Sequence, residues 1–299
     1  MTAPAVLGPA HSGRAHSGPA QGGAGRGGRV TRLAAVARHQ AVLLARDPGP
    51  MIGYTVMGLL LITVTRPLYA ALGRLVPGAG PGGTAAAAAG MTVMFSLFAL
   101  KVGAAHLLNE RTWRTWDRLR SSPAGFGVLL AGKALPLLAV LIVQQVVLFG
   151  FSAAVFGLRP QGGWLALAGC ALAWSACVLC LGLGASTLAR TPAQLSTAGD
   201  IVALVTTILG GALVPVALLP GWLRAVAPAS PGYWALAAFH DALAGDPGQL
   251  GRPLLVLAAF ALGGMALAAL VGAAGTTAVH RPRRSRRPAR AEAGALTPR

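Results

Sequence analysis

Gly127, Gly132 and Lys133 stand at the G-x-x-x-x-G-K spacing with which backbone N–H groups and a lysine cradle nucleotide phosphates. That chemistry also needs a Ser or Thr after the lysine to hold magnesium, a strand before the loop and a helix after it. Ala134 has no hydroxyl, and "GVLLAGKALPLLAVLIVQQVVLFGF" runs on as one apolar stretch. The spacing is a decoy, and the chain is expected to hold no ATP, cofactor or metal and to be no enzyme. Lys133 is expected to snorkel its ammonium to the interface or to pair with lipid phosphates. Cys170, Cys177 and Cys180 share one apolar stretch and read as small packing residues, not as a disulfide framework or a zinc site. No apolar stretch pairs a nucleophile with a base or gathers carboxylates for a metal, which argues against an intramembrane enzyme, and His240 and Asp241 have no catalytic companions. Four further polar residues sit in apolar stretches. Lys101 must face a partner helix, a wet cavity or the near interface, while Gln144, Gln145 and Asp200 are open between interhelical hydrogen bonding and a substrate path.

The elements that would position these residues are membrane spans. The 299-residue chain is 55% hydrophobic and only 11% charged, and its mean hydropathy is +0.64, so a soluble globular domain is excluded. A spanning helix takes about twenty apolar residues, and six stretches qualify: 51–72, 84–108, 133–158, 164–188, 198–219 and 254–278. The expected fold is an all-α integral membrane protein with six transmembrane helices. Residues 1–29 and 279–299 read as disordered basic tails around a folded part at 30–278, and the first of them lacks the apolar run of a signal peptide.

Twenty-five Lys and Arg oppose seven acidic residues, a net charge of +18. Nucleic acid is the weaker explanation, since arginines beside spans face the cytoplasm and meet anionic membrane lipids there. With the N-terminus inside, eighteen basic residues fall on the cytoplasmic segments and only Arg74, Arg159, Arg224 and Arg252 on the opposite connections, so both termini are expected in the cytoplasm. Ahead of the first span, Leu33, Ala37, Gln40 and Leu44 recur at helical spacing on a face that Arg32, Arg38 and Arg46 avoid. This reads as an interfacial helix or, alternatively, as the start of the first span itself. Trp222, Tyr233 and Trp234 place the long connection before the last span against or into the outer leaflet. Gly210, Gly211 and Pro215 weaken the fifth span, as a bend or a close-packing point.

Between the second and third spans lies "LNERTWRTWDRLRSSPAGFG". Thr115 can N-cap a short helix, Asp117 suits its positive end, and Pro123 closes it. Trp116 and Leu119 share a face, with Asp117, Arg118 and Arg120 around them. A partner's groove could grip such a helix; the plainer alternative is a solvated, positively charged loop.

These residues carry a resemblance. Glu110, Thr115, Leu119 and Pro123 follow the Glu-x-x-x-x-Thr-x-x-x-Leu-x-x-x-Pro pattern of permease subunits of type-2 ATP-binding-cassette (ABC) transporters, a family of bacterial plasma-membrane exporters. Leu219, Pro220, Trp222, Leu223, Pro231 and Trp234 match a second stretch of the same family. Thr112 and Arg114 depart from it, standing where a second Glu and a Gly are usual. The resemblance covers residues 30–278 and, since one chain supplies a single docking helix, implies a permease dimer, most simply of identical copies, above two separate ATPase subunits that bind ATP and magnesium. The 110–123 segment would then be the coupling helix, and the substrate a lipophilic drug, lipid or natural product moved outward. An ion- or proton-coupled carrier is the alternative, though it would normally bury carboxylates at mid-membrane, and Asp200 lies near a span end.

Overall fold

The computed structural model describes residues 26–75, 83–112, 126–189 and 191–279, excluding side chains at 26–29, 101–112, 126–130, 192, 247 and 272–279. Nine α-helices are described: α1 (Arg26–Arg46), α2 (Gly49–Leu75), α3 (Thr84–Thr112), α4 (Phe126–Phe156), α5 (Gly163–Leu188), α6 (Pro192–Gly210), α7 (Gly221–Val226), α8 (Pro231–Ala244) and α9 (Gly251–Val279). Among them α2, α4, α5, α6 and α9 are long and apolar enough to cross a membrane. The sixth span is α3, whose apolar stretch Thr84–Leu100 is shorter, although the helix runs on to Thr112. The protein is thus an all-α membrane protein.

Pro48 separates α1 from α2, because proline has no N–H and disfavours helical backbone at the residue before it. α1 is a helix of its own and not the start of the first span, with Gln40 and Leu44 buried and Arg32, Arg38 and Arg46 exposed. It packs on the first turns of α4, where a side chain at Gly132 would lie 2.8 Å from Val36. The end of the bundle bearing α1 is called here the α1 face.

α3 is the axis of the bundle. Ala86 to Ala89, Met91, Val93 and Phe95 are all buried, and α2, α4, α5, α6 and α8 surround it. A helix apolar on every side must be covered on every side. Among the described residues the most extensive helix contact is between α5 and α9, where Gly184 and Gly264 let the backbones meet; a Cβ on Gly264 would stand 2.6 Å from the Cys180 carbonyl oxygen. Close approach of this kind substitutes for the hydrophobic drive that lipid does not supply.

The fifth span departs from the sequence expectation of 198–219. It starts earlier, at a Thr191 cap whose hydroxyl accepts from the Gln194 N–H at 3.1 Å, and it stops at Gly210. Gly211 takes the left-handed conformation (φ +83°), and the Ala212 N–H returns to the Thr207 carbonyl at 3.0 Å, which satisfies helix-end acceptors. The Ala212 carbonyl in turn accepts from the Tyr69 hydroxyl, and Gly90 of α3 leaves room for that turn. The double glycine ends the helix rather than bending it.

The connection before the last span folds back into the bundle. Ser230 caps α8 by accepting from the Gly232 N–H, and Ala235, Leu236, Ala238, Phe239 and Ala242 are buried. Phe239 lies 5.4 Å from Phe149 of α4, centroid to centroid. At its far end, the Gln161 and Gly162 N–H groups donate to the Leu243 and Ala242 carbonyls at 3.1 Å. Trp222 on α7 remains exposed, while Trp234 donates to the Pro228 carbonyl at 2.8 Å beneath the Arg252 guanidinium.

Candidate translocation and coupling site

The predicted coupling residues Thr115, Trp116, Asp117, Arg118, Leu119, Arg120 and Pro123 lie outside the described residues. Glu110 and Lys101 are on α3, and only their backbone is described. The phosphate-loop look-alike at 127–134 falls inside the continuous helix α4.

Gln144 and Gln145 face neighbouring helices and are almost fully buried. The Gln144 amide donates to the Phe95 carbonyl on α3 at 3.4 Å, and the Gln145 amide donates to the Ser175 hydroxyl and the Ala171 carbonyl on α5. These bonds tie α4 to α3 and α5 near the middle of the bundle. Gln145→Leu should change stability by no more than about 1 kcal/mol, because interhelical hydrogen bonds in membranes are individually weak. Unfolding in mixed detergent micelles measures this, and a full loss of transport by a normally folded variant would make Gln145 a substrate contact.

Asp200 sits half-buried at the ninth of the nineteen residues of α6, in the middle of the helix, which corrects the expectation of a place near a span end: that expectation assumed a span starting at 198, and the helix starts at Pro192. Lys133 corrects the sequence reading: it is 5% exposed beside the α1–α4 contact, and its ammonium is enclosed by protein instead of reaching the headgroups. Docking of α1 on α4 covers the route along which it would have snorkelled. Cys170 and Cys177 are buried and Cys180 half-buried, all three free, and no group of metal-ligating side chains occurs among the described residues. In the connection outside the spans, burial pushes the His240 imidazole down to about 4, which leaves it neutral near pH 7.

One charged residue escaped the sequence reading. Arg66 lies inside the apolar run of α2, exposed, with its guanidinium 4.8 Å from the Phe156 ring centroid at the last residue of α4. A cation there complements the negative end of α4 as well as the ring. The signal was present, since Arg66 remains when the basic residues of the connections are set aside.

Among the described residues, apolar cavities open between the spans at two places. One, of about 280 Å³, lies between α3, α5 and α6 and ends under Pro231, the first residue of α8. The other, about 200 Å³, lies between α4 and α5 beside Gln145 and Trp164.

Comparison with known proteins adds to this geometry. The linearmycin resistance permease protein LnrN of Bacillus subtilis (strain 168) is 25% identical over 167 residues, which is 56% of this chain and 43% of the relative. The chain therefore matches less than half the length of that relative. Residues 31–243, from α1 through α8 and including the charged segment after α3, match the family described as ABC-2 type transporter. With the match covering most of a six-span helical bundle, the chain belongs to the ABC-2 type transporter family.

Proposed function

We propose that the chain is the permease subunit of an export complex in which ATP is hydrolysed by separate subunits. The observation that carries this is the family match over α1 to α8, with Glu110, Thr115, Leu119 and Pro123 at the spacing of the coupling segment. Two permeases, most simply identical copies, sit above two ATPase subunits that hold ATP and magnesium. The 110–123 segment transmits their closure to α3 and α4, the two helices it joins. The substrate class is lipophilic, of drug, lipid or natural-product kind, and its direction is outward. The apolar cavities and the resistance permease among the relatives support that class. The α1 face is cytoplasmic, with both termini there, in the bacterial plasma membrane.

The decisive experiment is reconstitution with the candidate ATPase. Vanadate-sensitive transport that survives dissipation of ion gradients is expected; transport that follows the gradient and ignores ATP would establish the ion-coupled carrier instead. Native mass measurement of the extracted complex should return two permeases and two ATPases, and a working complex with one permease would overturn the dimer.

Topology is tested separately. Gly28→Cys should be protected from an impermeant thiol reagent in intact cells, and Gly248→Cys, on the exposed connection between α8 and α9, should be labelled. Labelling of both from outside would refute the assignment.

A further inference from the structure

We propose that the cavity between α3, α5 and α6 is a binding site for one extended alkyl chain of a membrane amphiphile, entering from the leaflet on the α1 side. The inference requires only that α5 and α6 cross the bilayer, and it stands whether or not the chain exports lipophiles.

Shape is the first ground. The cavity follows α6 from Gln194, in the first turn beyond the Thr191 cap, to Thr206. Twelve residues of helix advance about 18 Å, which carries the slot from the membrane surface to just past the midplane of a hydrocarbon core about 30 Å thick. Spread over that length, about 280 Å³ is a slot on the order of 5 Å across. A helix from a second protein, about 10 Å wide with its side chains, does not fit it. A zigzag alkyl chain does, and about 14 carbons would fill its length at about 1.25 Å of advance per carbon.

Chemistry is the second ground. Among the described residues that line it, Gln194, exposed at the mouth, and Thr206, at the far end, are the polar side chains. Between them the wall is aliphatic, with Leu97, Val178, Leu181 and Leu195 as its larger members. A slot polar at the membrane surface and apolar for its whole depth matches an amphiphile held headgroup outward. Water would find too few partners along it.

Construction is the third. Small residues make up much of the two walls, Gly182, which meets Leu100 of α3, and Ala185 on α5, and Ala198 and Ala203 on α6, which leaves the space between the helices unfilled. Pro231 blocks the inner end, because α8 is held against α6 where Gly232 meets the Thr206 carbonyl. The slot is open on one side and stopped at Thr206, the fifteenth of the nineteen residues of α6.

The test uses the full chain in nanodiscs of phosphatidylglycerol and two photoreactive probes, each with the diazirine at carbon 3 or carbon 12 of a 16-carbon chain. One probe is a phosphatidylglycerol and the other a free fatty acid, so that the two arms distinguish a bilayer lipid from a single-chain amphiphile. The carbon-3 label is expected to insert near Gln194 and Leu195, and the carbon-12 label near Ala203, Thr206 and Pro231. Ala198→Trp, at an exposed rim position, should reduce carbon-12 insertion at the blind end at least tenfold while leaving insertion at exposed Leu255 and Leu262 of α9 unchanged. Ala185→Phe, on the opposite wall, provides the same block should the first variant misfold. Blind-end labelling no stronger than that of α9, no difference between the two label positions, or labelling untouched by the folded rim variants would each overturn the proposal.

Discussion

Export by the complex falls when Trp116 is replaced by alanine, while the permease still inserts and folds. Trp116 and Leu119 stand three residues apart on the short helix expected after α3, with charged neighbours around them. A large aromatic on a short exposed helix is accounted for if a groove on the ATPase buries it, and a buried aromatic anchor contributes about 2 kcal/mol or more to docking. The corresponding loss of affinity is about thirtyfold. Arg118→Glu should act differently, shifting the salt dependence and the association rate, since a rim charge mainly steers encounter. The measurements are membrane insertion, co-purification of the ATPase and substrate export for both variants beside the parent. Unaltered co-purification together with unaltered export for Trp116→Ala would return the segment to an ordinary charged loop.

The second large effect is expected from Gly264→Val. The new Cβ would stand 2.6, 2.7 and 2.8 Å from backbone atoms of Cys180 and Leu181, and backbone cannot move aside as a flexible side-chain end can. α9 must then separate from α5 along their closest contact. Overpacking of this kind costs about 3 kcal/mol. Gly263→Val is the control, because no atom lies within 4 Å of its added Cβ; it should stay within about 0.5 kcal/mol of the parent. Unfolding in mixed micelles reads both. Equal stability of the two variants would mean that α5 and α9 do not pack backbone to backbone.

The spans were legible because hydropathy and length leave little choice for apolar stretches of this size. The face of α1 was legible too, since Gln40 and Leu44 fall where the helical period puts them. The end of the fifth span was not. Residues 211–219 are as apolar as the helix before them, and only the left-handed turn at Gly211, fixed by Tyr69 and Gly90 from two other helices, tells termination from bending. Lys133 failed for a related reason: snorkelling is a property of an isolated span, and α1 covers the one to which it belongs. Arg66 was hidden inside an apolar run that scored as a span despite it. The cavity between α5 and α6 follows from the mutual placement of two helices, which no single stretch of sequence encodes. The coupling residues remain a reading of sequence and family pattern, because they fall outside the described structure.

The attachments of α8 have a mechanical consequence. At one end it bears on Thr206 of α6 through Gly232, and at the other the Leu243 and Ala242 carbonyls hold Gln161 and Gly162 between α4 and α5. Neither joint has slack: one is a backbone contact that even a methyl group would disrupt, and the other is a pair of hydrogen bonds 3.1 Å long. α8 is therefore a strut in series between α6 and the α4–α5 corner. A tilt of α6 thus bears on that corner through α8, and the two sides of the bundle are expected to shift together.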